Sequence, residues 1–345
     1  MVSSPELPVR RVPRLIPIAA AAVLATTMFL SPAAVAAPVG SAGSAGSSGS
    51  VADSGLGSAH DPDWMGRLPG RASLASLSVP ATHDTMTAGA SIVAQTQDHT
   101  LPEQLEAGVR ALDIRTRHFR DAFTIHHGLE YLNANFTDVV RQTTDFLRAN
   151  PTETVLMRLK TEHTEVENTR SYEQTLDWYI HDNPDTAPLL AAHLWTPPAR
   201  YDGRIPTLGE TRGKIVVLQD FAATKPYGPV WEGSHTDIQD DFELGNLADL
   251  PQKWDKARIH FERTDSGPSK VLFVNHLSAT GVPDPVAMAS GALPVTIARG
   301  TPEMPGMNAR ATQYLLPETV GRTGVVMADF PTAELVETVI SHNFR

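Results

Sequence analysis

The chain has 345 residues, 41% of them hydrophobic and 19% charged, with a net charge of −11 and no cysteine. This length and balance suit one large buried core, and the acidic charge disfavours nucleic acid and non-specific attraction to anionic membranes. The lack of cysteine excludes disulfides, thiolate nucleophiles and cysteine-ligated metals.

Residues 1–36 read as a secretory signal, with Arg10, Arg11 and Arg14 before the apolar run Leu15 to Leu30 and small residues at Ala34-Val35-Ala36. Arg10-Arg11 hints at the twin-arginine route, and the run is shorter than the ~20 residues that span a bilayer. A secreted, extracellular protein is expected, and losing those arginines with Glu6 leaves the mature chain more acidic still. Residues 37–58 are almost entirely Gly, Ser, Ala and Val, a composition too poor in apolar area to order itself, so a flexible linker is expected there. One folded domain over residues 59–345 follows.

Within it, short β-branched or apolar runs predict strands at 74–79, 109–114, 123–125, 154–159, 214–218, 271–274 and 324–327. Amphipathic stretches separate several of them, such as Thr137 to Ala149, where Thr137 can cap a helix whose stripe is Val139, Val140, Thr143, Phe146 and Leu147. Alternating strands and helices without a Gly-x-Gly-x-x-Gly turn predict an α/β fold, a TIM (β/α) barrel. Few residues separate the run at 109–114 from the next, so the barrel is expected to be irregular and incompletely closed. In such barrels the chemistry gathers at the C-terminal strand ends, where His83, Asp113, Arg115, His127, Lys160, Asp220 and Asp329 fall. Two imidazoles beside a guanidinium suit phosphodiester cleavage, since histidine exchanges protons near neutrality and a fixed cation stabilises phosphoryl charge. His126 points to the opposite strand face from His127 and reads as structural. His163 and His276 read as surface or core residues.

Five strings, taken in order, resemble the bacterial phosphatidylinositol-specific phospholipases C: Ser78 to Asp84, Leu112 to Arg117, His126-His127-Gly128, Asn150 to Lys160 and Gly213 to Leu218. The resemblance runs from about Ala75 to Phe330 and implies a phosphatidylinositol diacylglycerol-lyase that releases diacylglycerol and inositol 1,2-cyclic phosphate. It makes His83 the general base, His127 the general acid and Arg115 the phosphate clamp, with Asp329 orienting the base and Asp84 assisting the acid. The family hydrolyses the cyclic product slowly.

For the head group, the resemblance points to Asp240 for ring hydroxyls and to Phe242 in place of a stacking tyrosine, while Asp220 stands where the family has an arginine. Asp220 and Asp240 read equally as solvated loop acids, and Asp113 either joins the site or ties down Arg115. Animal relatives hold calcium at positions that here carry Arg115 and Lys160, so no cofactor is expected; calcium held by Asp84, Asp113 and Glu162 is the alternative. The expected partner is phosphatidylinositol or a GPI-type lipid at a membrane interface, with no nucleic acid and no obligate protein partner. The loop Lys225 to Trp231 either offers its aromatics to the lipid boundary or packs on the barrel rim. Two competing readings are a metal-dependent glycerophosphodiester phosphodiesterase or sphingomyelinase D-like enzyme, whose Glu-x-Asp ligand pattern Asp113-Ile114-Arg115 breaks, and a non-catalytic module binding inositol lipids or GPI anchors.

Overall fold

The computed structural model describes residues 55–316 and 320–345. The expected signal, and the expected linker up to residue 54, lie outside the described residues. The rest of that linker does not behave as one: Gly55–Ser58 form a 3-10 turn whose Leu56 is 2% exposed, so the folded body begins before Ala59. Burying one leucine stabilises by about 1.5–3 kcal/mol, and Gly55 supplies the positive φ of 58° that the turn requires.

The strands are β1 (Val79–Thr82), β2 (Ala111–Phe119), β3 (Ala122–His127), β4 (Glu130–Asn135), β5 (Thr154–Thr161), β6 (Lys214–Asp220), β7 (Thr236–Gln239), β8 (Leu272–His276), the two-residue β9 (Gly300–Thr301) and β10 (Met304–Pro305), and β11 (Val325–Ala328). The helices are α1 (Leu101–Ala107), α2 (Phe136–Ala149), α3 (Tyr172–His181), α4 (Ala187–His193), α5 (Leu208–Thr211), α6 (Leu250–Ser266), α7 (Pro285–Ala289), α8 (Pro294–Arg299), α9 (Met307–Leu315) and α10 (Ala333–Ser341). The first strand starts later than expected because Leu74–Ser76 form a 3-10 turn, capped by Ser73, that buries the same apolar residues without a ladder. Helix α2 starts at Phe136 instead of after Thr137: the Asn135 N–H donates to Asp138 Oδ2 at 2.8 Å, closing the first turn earlier. Strands β4 and β7 carry too little buried apolar character to be read from sequence.

Parallel pairing runs in the order β6-β5-β2-β1-β11-β8-β7, and β6 and β7 do not pair. The result is an irregular, incompletely closed barrel. β2 explains the missing crossover: its first half lies in the barrel, and its second half turns back antiparallel through β3 and β4.

Alternation along each barrel strand sorts side chains. Val216 and Leu218 of β6 join the cluster that fills the barrel, while Ile215 and Val217 pack toward the helices. The same inward face carries Val79 and Ala81 below His83, Ala111 below Asp113 and Arg115, Leu156 below Arg158 and Lys160, and Val325 and Met327 below Asp329. Apolar residues therefore pack the floor, and charged ones ring the C-terminal mouth. At the opposite pole, buried Arg110 donates to Glu153 at 2.9 Å, and Glu153 also accepts from the Met65 and Gly66 N–H groups, which ties the N-terminal segment across the barrel bottom.

Candidate active site

His83 leaves β1 with its N–H donating to the Ala328 carbonyl of β11 at 3.0 Å, so the ends of two paired strands hold its backbone. The segment after it folds back and clamps it further. The Gln97 amide donates to the carbonyls of His83 (2.7 Å) and Ala328 (3.0 Å), and Thr96 Oγ1 donates to the His83 carbonyl at 3.0 Å. On the other side, Asn308 donates to the carbonyls of Asp329 and Phe330. Asp84 and Phe330, neighbours of the two dyad residues, adopt positive φ of 42° and 41°, local strain that these contacts hold in place.

The His83 ring has both nitrogens engaged. Nδ1 lies 2.7 Å from Asp329 Oδ1, and Nε2 lies 2.6 Å from Arg115 NH2. Since the guanidinium can only donate, Nε2 carries the lone pair and Nδ1 the proton that it donates to Asp329. Burial, then Arg115, pulls the His83 pKa well below its usual value, so the ring is neutral at neutral pH.

His127 is opposite in character. Its Nδ1 forms an ion pair of 2.7 Å with Asp84 Oδ2. Burial lowers its pKa, but Asp84 outweighs burial and leaves it raised, which favours the protonated ring. The same Asp84 oxygen is 3.7 Å from His83 Nε2, so the two imidazoles face one space across a shared carboxylate.

Arg115 is the hub between them. It reaches Asp84 Oδ1 at 2.7 Å and Asp113 Oδ2 at 3.0 Å besides His83. Asp113 has a fully buried side chain that also accepts from the Asp84 N–H and from Arg158 NH1, and against its own burial Arg115 and Arg158 hold its pKa well below the carboxylate range. Of the two readings of Asp113, a substrate-binding residue or a tie for Arg115, the structure shows the tie: it lies beneath the surface and outside the cleft lining. Asp220 differs from expectation: Arg158 neutralises it at 2.7 Å, and it does not line the cleft.

The cleft has a volume of about 250 Å³, and its walls include His83, Arg115, His127, Lys160, Asp240, Phe242 and Asp329 together with apolar Val93, Ala279, Val282 and Pro294. Lys160 is 3.4 Å from Glu162, whose other oxygen accepts the Gly128 N–H and so anchors the turn after His127. His126, on the other strand face, does not line the cleft and meets the Tyr131 ring in a tilted contact at 5.5 Å. The Lys225 to Trp231 loop packs on the rim: Tyr227 and Trp231 are buried, and the Tyr227 hydroxyl donates to Asp177. Among the described residues, no group of three or more His, Asp or Glu side chains is set to hold a cation.

Sequence reasoning missed the layer beneath. Arg158 lies 4.2 Å over the Trp231 ring, Trp231 meets His276 edge-on at 6.2 Å, and His276 meets His83 edge-on at 5.8 Å. The available signal was an arginine inside the apolar strand Val155 to Leu159.

The family model for the phosphatidylinositol-specific phospholipase C X domain matches residues 71–220. A 1-phosphatidylinositol phosphodiesterase of Listeria monocytogenes is 32% identical over 301 residues, 81% of this chain and 84% of that one. Another, of Staphylococcus aureus, is 30% identical over 171 residues, 47% of this chain and 52% of the relative. The solved phosphatidylinositol-specific phospholipase C from Listeria monocytogenes superposes with a TM-score of 0.64 at 29% identity, covering 82% of this chain and 98% of that one. A variant of the Staphylococcus aureus enzyme gives 0.67 at 20% identity over 82% of this chain and 99% of that one, a likeness of fold.

Proposed function

Because the chain belongs to the family of bacterial phosphatidylinositol-specific phospholipases C, we propose that it cleaves phosphatidylinositol by passing protons between His83 and His127 across a phosphate held by Arg115. The observation that carries this reading is the opposite charge preference of two imidazoles on one Asp84 oxygen: burial and Arg115 keep His83 neutral, and Asp84 keeps His127 protonated.

Arriving phosphate competes for Arg115. As the guanidinium turns NH2 toward a non-bridging oxygen, the lone pair on His83 Nε2 is released to accept the proton of the inositol 2-hydroxyl. That oxygen bonds to phosphorus, the bond from phosphorus to the glycerol oxygen breaks, and His127 gives its proton to the departing oxygen. The products are diacylglycerol and inositol 1,2-cyclic phosphate. Asp329 holds the base tautomer, Asp84 keeps the acid charged, and Lys160, Asp240 and Phe242 face the head group. The positive charge comes from Arg115, and no metal step is needed.

The lipid side of the cleft follows from exposure. Ile92 is 66% exposed beside the cleft-lining Val93, Leu129 is 74% exposed two residues after His127, and Phe242 is 49% exposed at the mouth. These side chains suit contact with a bilayer that holds the acyl chains of phosphatidylinositol or a GPI-type lipid. Action outside the cell is supported by the pattern of residues 1–36.

The test is phosphorus NMR of the mature protein with phosphatidylinositol vesicles in excess EDTA. A five-membered cyclic phosphate is the expected first product; EDTA-sensitive hydrolysis without it returns the reading to the metal-dependent phosphodiesterases.

A further inference from the structure

Lys253 is a buried charge for which the reaction above has no use. It lies in the first turn of α6, 3% exposed. Its ammonium makes one hydrogen bond, to Gln239 Oε1 at 3.2 Å, and among the described residues it pairs with no carboxylate. An ammonium has three donors and is costly to bury without an anionic partner, so apolar packing is no sufficient reason for it. Lys256 pairs with Asp241 at the surface instead. Burial brings the Lys253 pKa down to about 8 against the fields of Asp240, Asp241 and Asp329.

What Lys253 holds is a junction. Gln239 Oε1 accepts from Lys253 and also from the Asp241 N–H at 2.8 Å, while the Gln239 amide nitrogen donates to Asn275 Oδ1 (2.8 Å) and the His276 carbonyl (2.9 Å). Gln239 ends β7, a strand that pairs on one side only and borders the open seam of the barrel. The backbone on both sides of Asp240 is therefore fixed through one amide, and Lys253 supplies the only charged one of its four hydrogen bonds. Asp240 projects into the cleft, with His276 Nδ1 3.5 Å behind it.

We propose that Lys253 is a positioning residue for head-group recognition, holding Gln239 and the Asp241 backbone from below so that the carboxylate of Asp240 between them stays presented to the hydroxyls of the polyol. The proposal rests on the function argued above. Its test compares the unaltered protein with Lys253→Met, which keeps the stem and loses the charge, Lys253→Arg, and Gln239→Leu, which removes the acceptor from above. The assay is hydrolysis of inositol 1,2-cyclic phosphate, soluble and so independent of any lipid surface.

K253M and Q239L are each expected to raise KM about tenfold with kcat within about twofold, the scale of one charge-assisted hydrogen bond lost from ground and transition state alike. K253R should recover most of the loss. A filler role would lower the melting temperature and leave KM alone. An unchanged KM in either folded variant, or a fall in kcat alone, overturns the proposal; if K253M does not fold, Q239L carries the same test. Inactivity of the unaltered protein would remove the functional reading and this proposal with it, whereas an active parent with an unaffected variant removes the proposal alone.

Discussion

Replacing Asp329 with asparagine removes a charge while keeping the shape of the side chain, and the structure predicts opposite effects on folding and on turnover. Asp329 is 2% exposed, and burial, reinforced by Asp84, raises its pKa well above the usual value. A group whose folded pKa is raised contributes stability below its unfolded pKa, about 3.9, and loses it as pH rises through the folded value. Above its unfolded pKa the acidic side chain is therefore a cost to folding that asparagine lacks, and D329N should melt at or above the parental temperature at pH 7, with the gap closing toward pH 4. Catalysis should suffer. The carboxylate accepts from His83 Nδ1 at 2.7 Å and so keeps the lone pair on Nε2. An asparagine amide turned to donate to Nδ1 moves the ring proton to Nε2, where it meets Arg115 NH2 donor to donor at the present 2.6 Å and leaves no base for the hydroxyl. A positioned general base is worth about 10²–10⁴ in rate, or about 3–5 kcal/mol. That is the expected fall in kcat/KM, read from cyclic phosphate formation beside a melting curve on the same preparation. A D329N protein within about threefold of the parent in kcat/KM would refute the tautomer argument, and one that loses activity only because it melts lower would refute the electrostatic one.

Arg115→Lys keeps the charge but cannot bridge Asp84, Asp113 and His83 together, so kcat should fall by about 10²–10³ in steady-state assays with little change in melting temperature. Glu153→Ala strands a guanidinium that is fully buried at the opposite pole. It should cost about 3–5 kcal/mol in denaturant unfolding, while the folded fraction keeps parental kcat and KM.

Much of the site was legible because its residues sit at the ends of short apolar runs, where backbone geometry alone delivers them to one pole. His83, Arg115, His127, Lys160 and Asp329 all line the cleft, as their positions suggest. Asp113 and Asp220 share those positions, yet neither reaches the cleft. The difference is Arg158, which stands opposite Asp113 in the β2–β5 register and within reach of Asp220 at the end of β6. A partner across strands is set by register, and register is not written in any one segment. Lys253 was hidden for a related reason. In Pro251-Gln252-Lys253-Trp254-Asp255-Lys256 nothing in the sequence separates the two lysines, and the packing of α6 against β7 and β8 buries Lys253 while Lys256 stays at the surface.

A period-two pattern nonetheless carried the architecture of the mouth. Read every second residue and each barrel strand passes from apolar to charged or polar: Ala81 to His83, Ala111 to Asp113 to Arg115, Leu156 to Arg158 to Lys160, Leu218 to Asp220, Ile238 to Asp240, Val274 to His276, Met327 to Asp329. Because alternate residues share a face, one strand's inward row must be dry at the bottom and ionic at the top. Seven such rows in parallel, closed almost into a ring, force their ionic ends together within one small volume. Acids and bases brought that close cannot all be charged as they would be in water, and the pairing this compels, Arg115 among carboxylates with His83 beside it and His127 on Asp84, sets the two imidazoles to opposite protonation states. The proton traffic proposed for this enzyme is thus a consequence of where the barrel's inner faces stop being apolar.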